Sequence, residues 1–458
     1  NNQGEKMINS KVILSGVLAV WICGCASNQG EIKYEPKQNF KDENATYQID
    51  TLWYKKYNES YLNKLVDQAL ANNYDLKTAA LNVESAYANL GLNRADLFPT
   101  LSGSVGGSRG RDISTSSNWS KTYSSGFNVS YELDLFGKIR SAVNSSEWSA
   151  KASEFDLENA RLTLINSVVS GYFEMLYLND SLKWTRQNLS DYREIEKIIK
   201  AKYDYGKSEQ LDYRQIKNSI LGLENRVLEI QKNIEDNRKY MRNLISSSMQ
   251  FNDNTNSISS IKFQGVDLDV PYTALSNRPD IRAAISRLNS SFYDNQTAQL
   301  NFFPSINLGA GLNSGQAGRA DDSFKLNFLS GNVSISLPFL DYARLENRLK
   351  ISEIDFRKNV VNYEQTLSTA TNEVLNLYRI YEINLATLKN LSAAYDEKAR
   401  IADLYAAKYE AGSSELKDML EARTDAVDAK ISELNQKYLT LQNEAAIYRA
   451  MAGKFRRK

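Results

Sequence analysis

The sequence of 458 residues contains no histidine. Histidine is the commonest general base and the commonest neutral metal ligand, so its absence argues against most hydrolytic and metal-dependent chemistry. The only two cysteines, Cys23 and Cys25, lie near the N-terminus. The rest of the chain therefore has no disulfide, thiol nucleophile or cysteine metal cluster. We expect a protein that is not an enzyme and that binds no cofactor and no metal.

A large net charge and long hydrophobic runs are also lacking. The 56 basic and 55 acidic residues leave a net charge of +1, so we expect no nucleic-acid partner. The apolar run 12–22 is too short to span a bilayer as a helix and is typical of a signal peptide. We expect Met7 to be the translational start and 1–24 to comprise an upstream extension and a signal peptide.

The apolar run ends in a sequence that resembles a bacterial lipobox, Ile22-Cys23-Gly24-Cys25. Gly24 is small enough for a cleavage pocket, and Cys25 supplies a thiol for a thioether to diacylglycerol. In the lipoproteins that this motif resembles, Ala26 after the cysteine favours the outer membrane. The alternative is an ordinary signal peptide with incidental cysteines. We predict that Cys25 is lipidated.

Proline is scarce, and between the prolines lie two very long helical patterns. In 138–205 and 343–411, apolar residues follow the three-four spacing of packed helices. At 1.5 Å per residue, each helix would extend over about 100 Å. Gly206 and Gly412 follow the two patterns and suit the left-handed conformation of a helix C-cap. Each long helix is therefore expected to turn back at its glycine.

The returning helices need N-caps, and serine is a favoured residue at that position. Ser208 is the candidate in the first hairpin, and Ser413 or Ser414 in the second. Separate shorter helices are expected at 62–96 and 272–301.

These hairpins belong to an internal repeat. Pro99, in Leu-Phe-Pro-Thr, is followed 205 residues later by Pro304, in Phe-Phe-Pro-Ser, and Gly206 is followed 206 residues later by Gly412. A steady offset indicates duplication of one structural unit.

Each unit also contains two segments in which apolar residues alternate with Ser, Asn and Gly. The four segments are 101–105, 127–133, 306–312 and 333–337. This period of two is typical of a sheet with one face in lipid and the other in water, and a soluble amphipathic hairpin is the alternative. Four strands cannot close a membrane barrel, and open edges are not tolerated in lipid. We therefore predict that several chains share one barrel.

Aromatic residues mark the junctions between strands and helices: Phe98, Phe136, Phe302, Phe303 and Phe339. An aromatic girdle at a membrane interface is favoured over packing within a core, on position alone. The polar loops 111–121 and 315–325 would then face the exterior.

These features together resemble the TolC-like outer-membrane efflux proteins, in their lipoprotein branch. The matching segments are the Cys25 lipobox and 131–138, 278–281, 337–341, 409–412 and 418–422. The resemblance covers about 52–452, and the order and spacing of the segments are more specific than any single motif.

The resemblance implies an α+β membrane protein with an internal two-fold sequence repeat. Its trimer would form a 12-stranded outer-membrane β-barrel, four strands per chain, that continues into a long α-helical periplasmic tunnel. The implied regions are 25–60, a lipidated N-terminal segment and equatorial region; 61–250, the first efflux repeat; 251–271, an equatorial insert; 272–452, the second efflux repeat; and 453–458, a C-terminal tail.

The implied function is the passive exit duct of a tripartite efflux or type I secretion system. The homotrimer would be lipid-anchored in the outer membrane of a Gram-negative bacterium. Its partners would be outer-membrane lipid, a periplasmic adaptor protein and an inner-membrane transporter.

The resemblance also implies a gate at the periplasmic tip. Family members have acidic residues around the tunnel constriction at the positions of Asp418 and Glu421, where three chains would bring six carboxylates together. In the family, a tyrosine at the Tyr409 position bonds to an acid at the Asp212 position and closes the tip. Ser414 stands where some members have an arginine, so a second lock is not implied. Without the resemblance, Asp418 and Glu421 indicate only an exposed acidic helix start.

Two other functions stay open. A structural oligomeric lipoprotein of the envelope would need an anchor but no conducting lumen, and the alternating strands argue against it. An envelope enzyme is disfavoured because the mature chain lacks histidine and cysteine.

Overall fold

The computed structural model of this chain describes residues 47–114, 118–247, 256–267, 272–314 and 319–457. They belong to one compact unit, Asn39–Lys458, while Cys25 and the signal peptide lie outside the described residues. Seven α-helices occur in the described ranges: α1 (Ser60–Asn72), α2 (Tyr74–Ala95), α3 (Lys138–Asp204), α4 (Gln210–Ile245), α5 (Pro279–Leu300), α6 (Tyr342–Glu410) and α7 (Leu416–Ala450). Six strands accompany them: β1 (Tyr47–Asp50), β2 (Thr100–Gly110), β3 (Ser120–Leu133), β4 (Ser305–Ser314), β5 (Leu326–Ser336) and β6 (Lys454–Arg457).

Both long helical patterns form single helices, as the sequence predicts. α3 has 67 residues and α6 has 69, which is about 100 Å each. The backbone φ angle is +68° at Gly206 and +71° at Gly412, so both glycines take the left-handed conformation. After α3, the Lys207 amide donates to the Lys202 carbonyl at 2.7 Å, which forms a Schellman turn, and the second hairpin repeats it. Among the described helices, none has the length and apolar character needed to cross a membrane.

The serine caps predicted for the returning helices are wrong. α4 and α7 begin after Glu209 and Glu415, which are extended and make no side-chain capping bond. The Ser208 hydroxyl donates instead to the Asp212 carboxylate at 2.8 Å. The physical reason is the length of the Schellman turn, which places the N-cap three residues after the glycine, one position beyond Ser208.

The segment predicted as one helix at 62–96 is two helices that meet at Asn73. The Asn73 side chain accepts a hydrogen bond from the Leu76 amide at 2.9 Å and caps α2. In the second repeat a 3-10 turn, Tyr272–Asn277, precedes α5, and Pro279 occupies the first turn of that helix.

The four predicted strands form one antiparallel sheet in the order β2-β3-β4-β5. The register pairs Leu101 with Val129, Val129 with Ala310, and Leu308 with Val333. Because directly paired residues share a face, most apolar residues of the four strands lie on one side. The other side carries mainly Ser, Asn and Gly, together with Phe328, which pairs with Asn313. β2 and β5 are the edges of this sheet.

Near the chain termini, β1 and β6 pair antiparallel, with Tyr47 opposite Arg457. The segment 453–458, predicted as a tail, therefore contributes a strand. Beside it, the fully buried Glu444 carboxylate accepts hydrogen bonds from the hydroxyls of Tyr57 (2.7 Å) and Tyr381 (3.1 Å) and from the Gly265 amide (2.8 Å). These bonds join the N-terminal segment, the insert and the second hairpin at one point.

Candidate functional site

The apolar face of the four-stranded sheet is solvent-exposed in the protomer. Leu101 and Val105 are each 72% exposed, and Leu329 is 78% exposed. Soluble monomers rarely expose a contiguous apolar patch of this extent, whereas a lipid-facing sheet must do so. The alternation seen in the sequence therefore corresponds to a surface suited to lipid.

The polar face depends on glycine. Gly126 is paired with Asn313, and Gly309 with Asn332. A Cβ atom added at Gly126 would lie 1.9 Å from the Asn313 side-chain oxygen, and one at Gly309 would lie 2.3 Å from that of Asn332. Each asparagine side chain therefore fills the space above the glycine opposite it. The polar face of the sheet is nearly flat at these positions.

Aromatic rings gather where the strands meet the helices. Phe136 and Phe303, one from each repeat, stack with ring centroids 4.7 Å apart, and Phe302 packs edge-on against Tyr342 at 5.8 Å. Phe136 remains 45% exposed and Phe98 67% exposed, so they are not core residues of the protomer. This exposure favours the interfacial position expected from the sequence.

At the opposite end of the long helices, the two hairpins share a buried apolar cluster: Leu189, Tyr192, Ile199, Ile216, Ile220, Leu223, Leu416, Met419 and Leu420. The Tyr192 hydroxyl donates to the Leu420 carbonyl at 2.6 Å and so joins α3 to α7. Burial raises the pKa of Tyr192, so the hydroxyl keeps its proton. The cluster holds the two glycine turns in a common tip.

Tyr409 and Asp212, predicted as a bonded pair, have other partners within the protomer. The Tyr409 hydroxyl accepts a hydrogen bond from the Lys202 ammonium at 3.3 Å, and this ammonium lies 5.2 Å from the centre of the Tyr409 ring. Asp212 accepts from Ser208. A direct bond between Tyr409 and Asp212 stays a prediction. No local pattern in the sequence indicated that Lys202 contacts the second hairpin.

The predicted acidic pair lies on the first turns of α7. Asp418 is partly buried, while Glu421 is exposed and lies 3.7 Å from Lys417 on the same helix. Arg423, the nearby cation, lies 3.8 Å from Asp191 of α3. Glu421 is therefore the more accessible of the two carboxylates.

The Arg-Pro-Asp-Ile motif has a structural role at the start of α5. The Arg278 guanidinium binds both oxygens of Asp280 (3.0 and 2.7 Å), lies 2.9 Å from Glu373, and donates to the Ala450 carbonyl at 2.8 Å. Burial alone would raise the pKa of the Asp280 carboxyl, but the hydrogen bonds and charge of Arg278 outweigh it and hold this pKa below its ordinary value. Glu373 also pairs with Arg449. The motif therefore joins α5, α6 and α7.

An exposed apolar sheet continuous with two very long helical hairpins is the architecture of an outer-membrane channel-tunnel. The family model for outer membrane efflux proteins matches residues 65–246 and 270–453. This chain belongs to that family, whose members are transport ducts rather than enzymes, and it is an outer-membrane efflux channel protein of the TolC-like kind.

Individual relatives agree with this assignment. Toxin and drug export protein A of Aggregatibacter actinomycetemcomitans is 33% identical over 452 residues, covering 97% of this chain and 98% of that protein. Solvent efflux pump outer membrane protein SrpC of Pseudomonas putida is 29% identical, covering 87% and 86%. The crystal structure of the Campylobacter jejuni CmeC outer membrane channel has a TM-score of 0.80 at 28% identity and covers 94% of each chain.

Proposed function

We propose that three copies of this chain close a 12-stranded β-barrel in the outer membrane and serve as the passive exit duct of a tripartite efflux system. The observation that carries the proposal is the sheet β2-β3-β4-β5, which has an exposed apolar face and two open edges. Open edges leave backbone groups unsatisfied in lipid, so β5 of one copy must pair with β2 of the next. Twelve strands is an even number within the range of bacterial barrels.

The test combines assembly with conduction. Light scattering of the purified protein in mild detergent should give the mass of a trimer, and planar bilayers should show discrete conductance steps. A trimer without conductance would support the alternative of a structural envelope lipoprotein. A well-folded monomer would contradict the shared barrel itself.

The long hairpins would form the periplasmic tunnel of this trimer and dock with a periplasmic adaptor protein that leads to an inner-membrane transporter. The relatives are named for export of toxins and drugs and for efflux of solvents. Such different cargoes suit a permissive duct in which the transporter selects the substrate. Exchange of the inner-membrane transporter should therefore change the exported compounds, whereas exchange of this protein for a relative should not.

The proposal includes a lipid anchor at Cys25. Mass spectrometry of the mature protein should find Cys25 as an acylated N-terminal residue, and Cys25→Ser should block processing. Because the barrel itself holds the protein in the membrane, the Cys25→Ser variant should still assemble. An unmodified N-terminus at another residue would contradict the anchor.

We also place the gate of this duct at the tip. In this proposal the tip is closed at rest, Tyr409 and Asp212 contribute to closure, and the carboxylates of Asp418 and Glu421 attract cations at the constriction. The contact between Lys202 and Tyr409 supports closure because it joins the two hairpins across their ends. Asp418→Ala should lower the cation selectivity of the conductance.

A further inference from the structure

The end of the β2-β3 hairpin that lies far from the helices carries two cations on the apolar side of the sheet. Arg109 pairs directly with Lys121 across the antiparallel strands. Because side chains alternate along a strand, both residues lie on the face that carries Leu101, Val105 and Val129. Arg109 and Lys121 are exposed.

Within the described residues, this pair of like charges has no carboxylate partner. Like charges directly opposite each other destabilise a sheet. Across the described part of the chain, no carboxylate forms an ion pair with Arg109 or Lys121. In the loop between β4 and β5, the carboxylates form ion pairs with cations of the same loop. Asp321 lies 3.7 Å from Arg319, and Asp322 lies 2.8 Å from Lys325. An external anion would relieve the repulsion.

The height of the pair corresponds to lipid headgroups. From Leu133 to Lys121 the strand advances about 40 Å along its length, and hence about 29 Å across the membrane at a tilt near 45°. The apolar band of such barrels is about 25 Å tall, so the pair lies just beyond it. Trp119, a residue type enriched at membrane interfaces, lies 4.9 Å from the Arg109 guanidinium and is 56% exposed.

We propose that Arg109 and Lys121 bind the phosphate groups of a phosphorylated lipid in the outer leaflet. The inference rests on the proposed barrel, which directs this hairpin to the outer surface. Arginine and lysine offer a planar donor fork and a point charge to phosphate oxygens. Acyl chains of the same lipid would lie along Val105 and Leu101 beneath the headgroup. The two cations lie directly above the apolar face of the sheet. A lipid can contact both, whereas a soluble phosphate or an acidic protein would contact only the cations.

The test measures lipid binding to the full-length protein in detergent. The probes are lipid A, the same lipid with its phosphates removed, and inorganic phosphate. Arg109→Gln with Lys121→Gln should bind lipid A roughly thirtyfold more weakly than the parent, on the basis of two cations near a phosphate surface. The matched control, Arg319→Gln with Lys325→Gln, removes two cations that already have carboxylate partners and should bind within about twofold of the parent.

Dephosphorylated lipid should not distinguish the double variant from the parent, and inorganic phosphate should bind neither. Equal lipid A affinity in parent and double variant would overturn the proposal, as would tight binding of inorganic phosphate alone. If the double variant does not assemble, Lys121→Gln alone should weaken binding roughly fivefold. Conductance and mass are measured on the same samples. If the protein binds lipid A selectively but does not conduct, the proposed duct function is wrong and the proposed lipid site is supported.

Discussion

The two repeats build the same junction with different chemistry. In the first repeat, the Asn73 amide donates to the Leu244 carbonyl at the end of α4, at 2.9 Å. In the second, Arg278 donates to the Ala450 carbonyl at the end of α7, at 2.8 Å. Both residues are only 6% exposed, so burial does not distinguish them. The difference is the buried charge, which requires the carboxylates around Arg278.

The two repeats therefore make this contact at the same position, although the side chain that makes it differs. A neutral amide caps a helix and satisfies one carbonyl with little electrostatic cost. A buried guanidinium is costly to desolvate and tolerable only when it is paired and fully hydrogen-bonded. The second junction should therefore be more sensitive to substitution and to acid than the first.

The largest expected effect is at Arg278. Arg278→Met should lower the free energy of unfolding by about 3–5 kcal/mol, because it leaves the partly buried Asp280 carboxylate without its cation and the Ala450 carbonyl without its donor. Asn73→Ala should cost about 0.5–2 kcal/mol, the value of an N-cap. Urea unfolding of the protein in detergent measures both. Equal costs would show that the two junctions are energetically alike despite their chemistry.

In the sheet, by contrast, the repeats should be equivalent. Val129 in the first repeat and Leu308 in the second lie on the same apolar face. Val129→Arg and Leu308→Arg should each cost about 2–4 kcal/mol if the positions lie near the bilayer midplane. The neighbouring changes Asn128→Arg and Asn307→Arg, on the polar face, should leave stability nearly unchanged and alter conductance. A stability loss only on the polar face would reverse the assignment of the two faces.

At the tip, one contact joins the two repeats: Lys202 comes from the first repeat and Tyr409 from the second. Lys202→Met removes the hydrogen bond and the cation–π contact, whereas Tyr409→Phe removes only the hydrogen bond. At about 0.5–1.5 kcal/mol for each protomer, three losses would shift a closed–open balance by roughly one to three orders of magnitude if they add. Both variants should conduct more, Lys202→Met by the larger factor.

The control for the tip is the same residue type in the second repeat. Lys408 lies 5.5 Å from the Tyr405 ring on its own helix, so it does not join the hairpins. Lys408→Met should leave conductance unchanged. If Tyr409→Phe opens the channel and Lys202→Met does not, the lock is the bond to Asp212 that the family resemblance implies. If neither variant changes conductance, the tip is not the gate.

The smallest expected effect is a change in the free energy of unfolding at acidic pH. Because the pKa of Asp280 is lowered on folding from 3.8, its contribution is fully present above about pH 4 and is lost as pH falls through the folded value. The stability difference between the parent and Asp280→Asn should therefore shrink below pH 4. Urea unfolding of the parent and of Asp280→Asn at each pH measures this difference.

Local signals in the sequence were sufficient for much of the fold. Unbroken apolar spacing predicted 138–205 and 343–411, and the helices end within one residue of those bounds because the glycines after them adopt the left-handed cap. Alternation predicted four strands, since period two is a property of each strand by itself. Motifs that resemble the TolC-like efflux proteins predicted an outer-membrane efflux channel, and the family match confirmed that prediction.

Only the tertiary structure decided which side chains meet. Lys202 contacts Tyr409 although 207 residues separate them, and Arg278 reaches a carbonyl 172 residues away. No local pattern encodes such pairs, because they depend on how whole hairpins align. The apolar face of the sheet likewise required the register of all four strands, since a shift of one residue would move every side chain to the other face. The sequence determined the elements and their period, whereas packing determined the contacts between them.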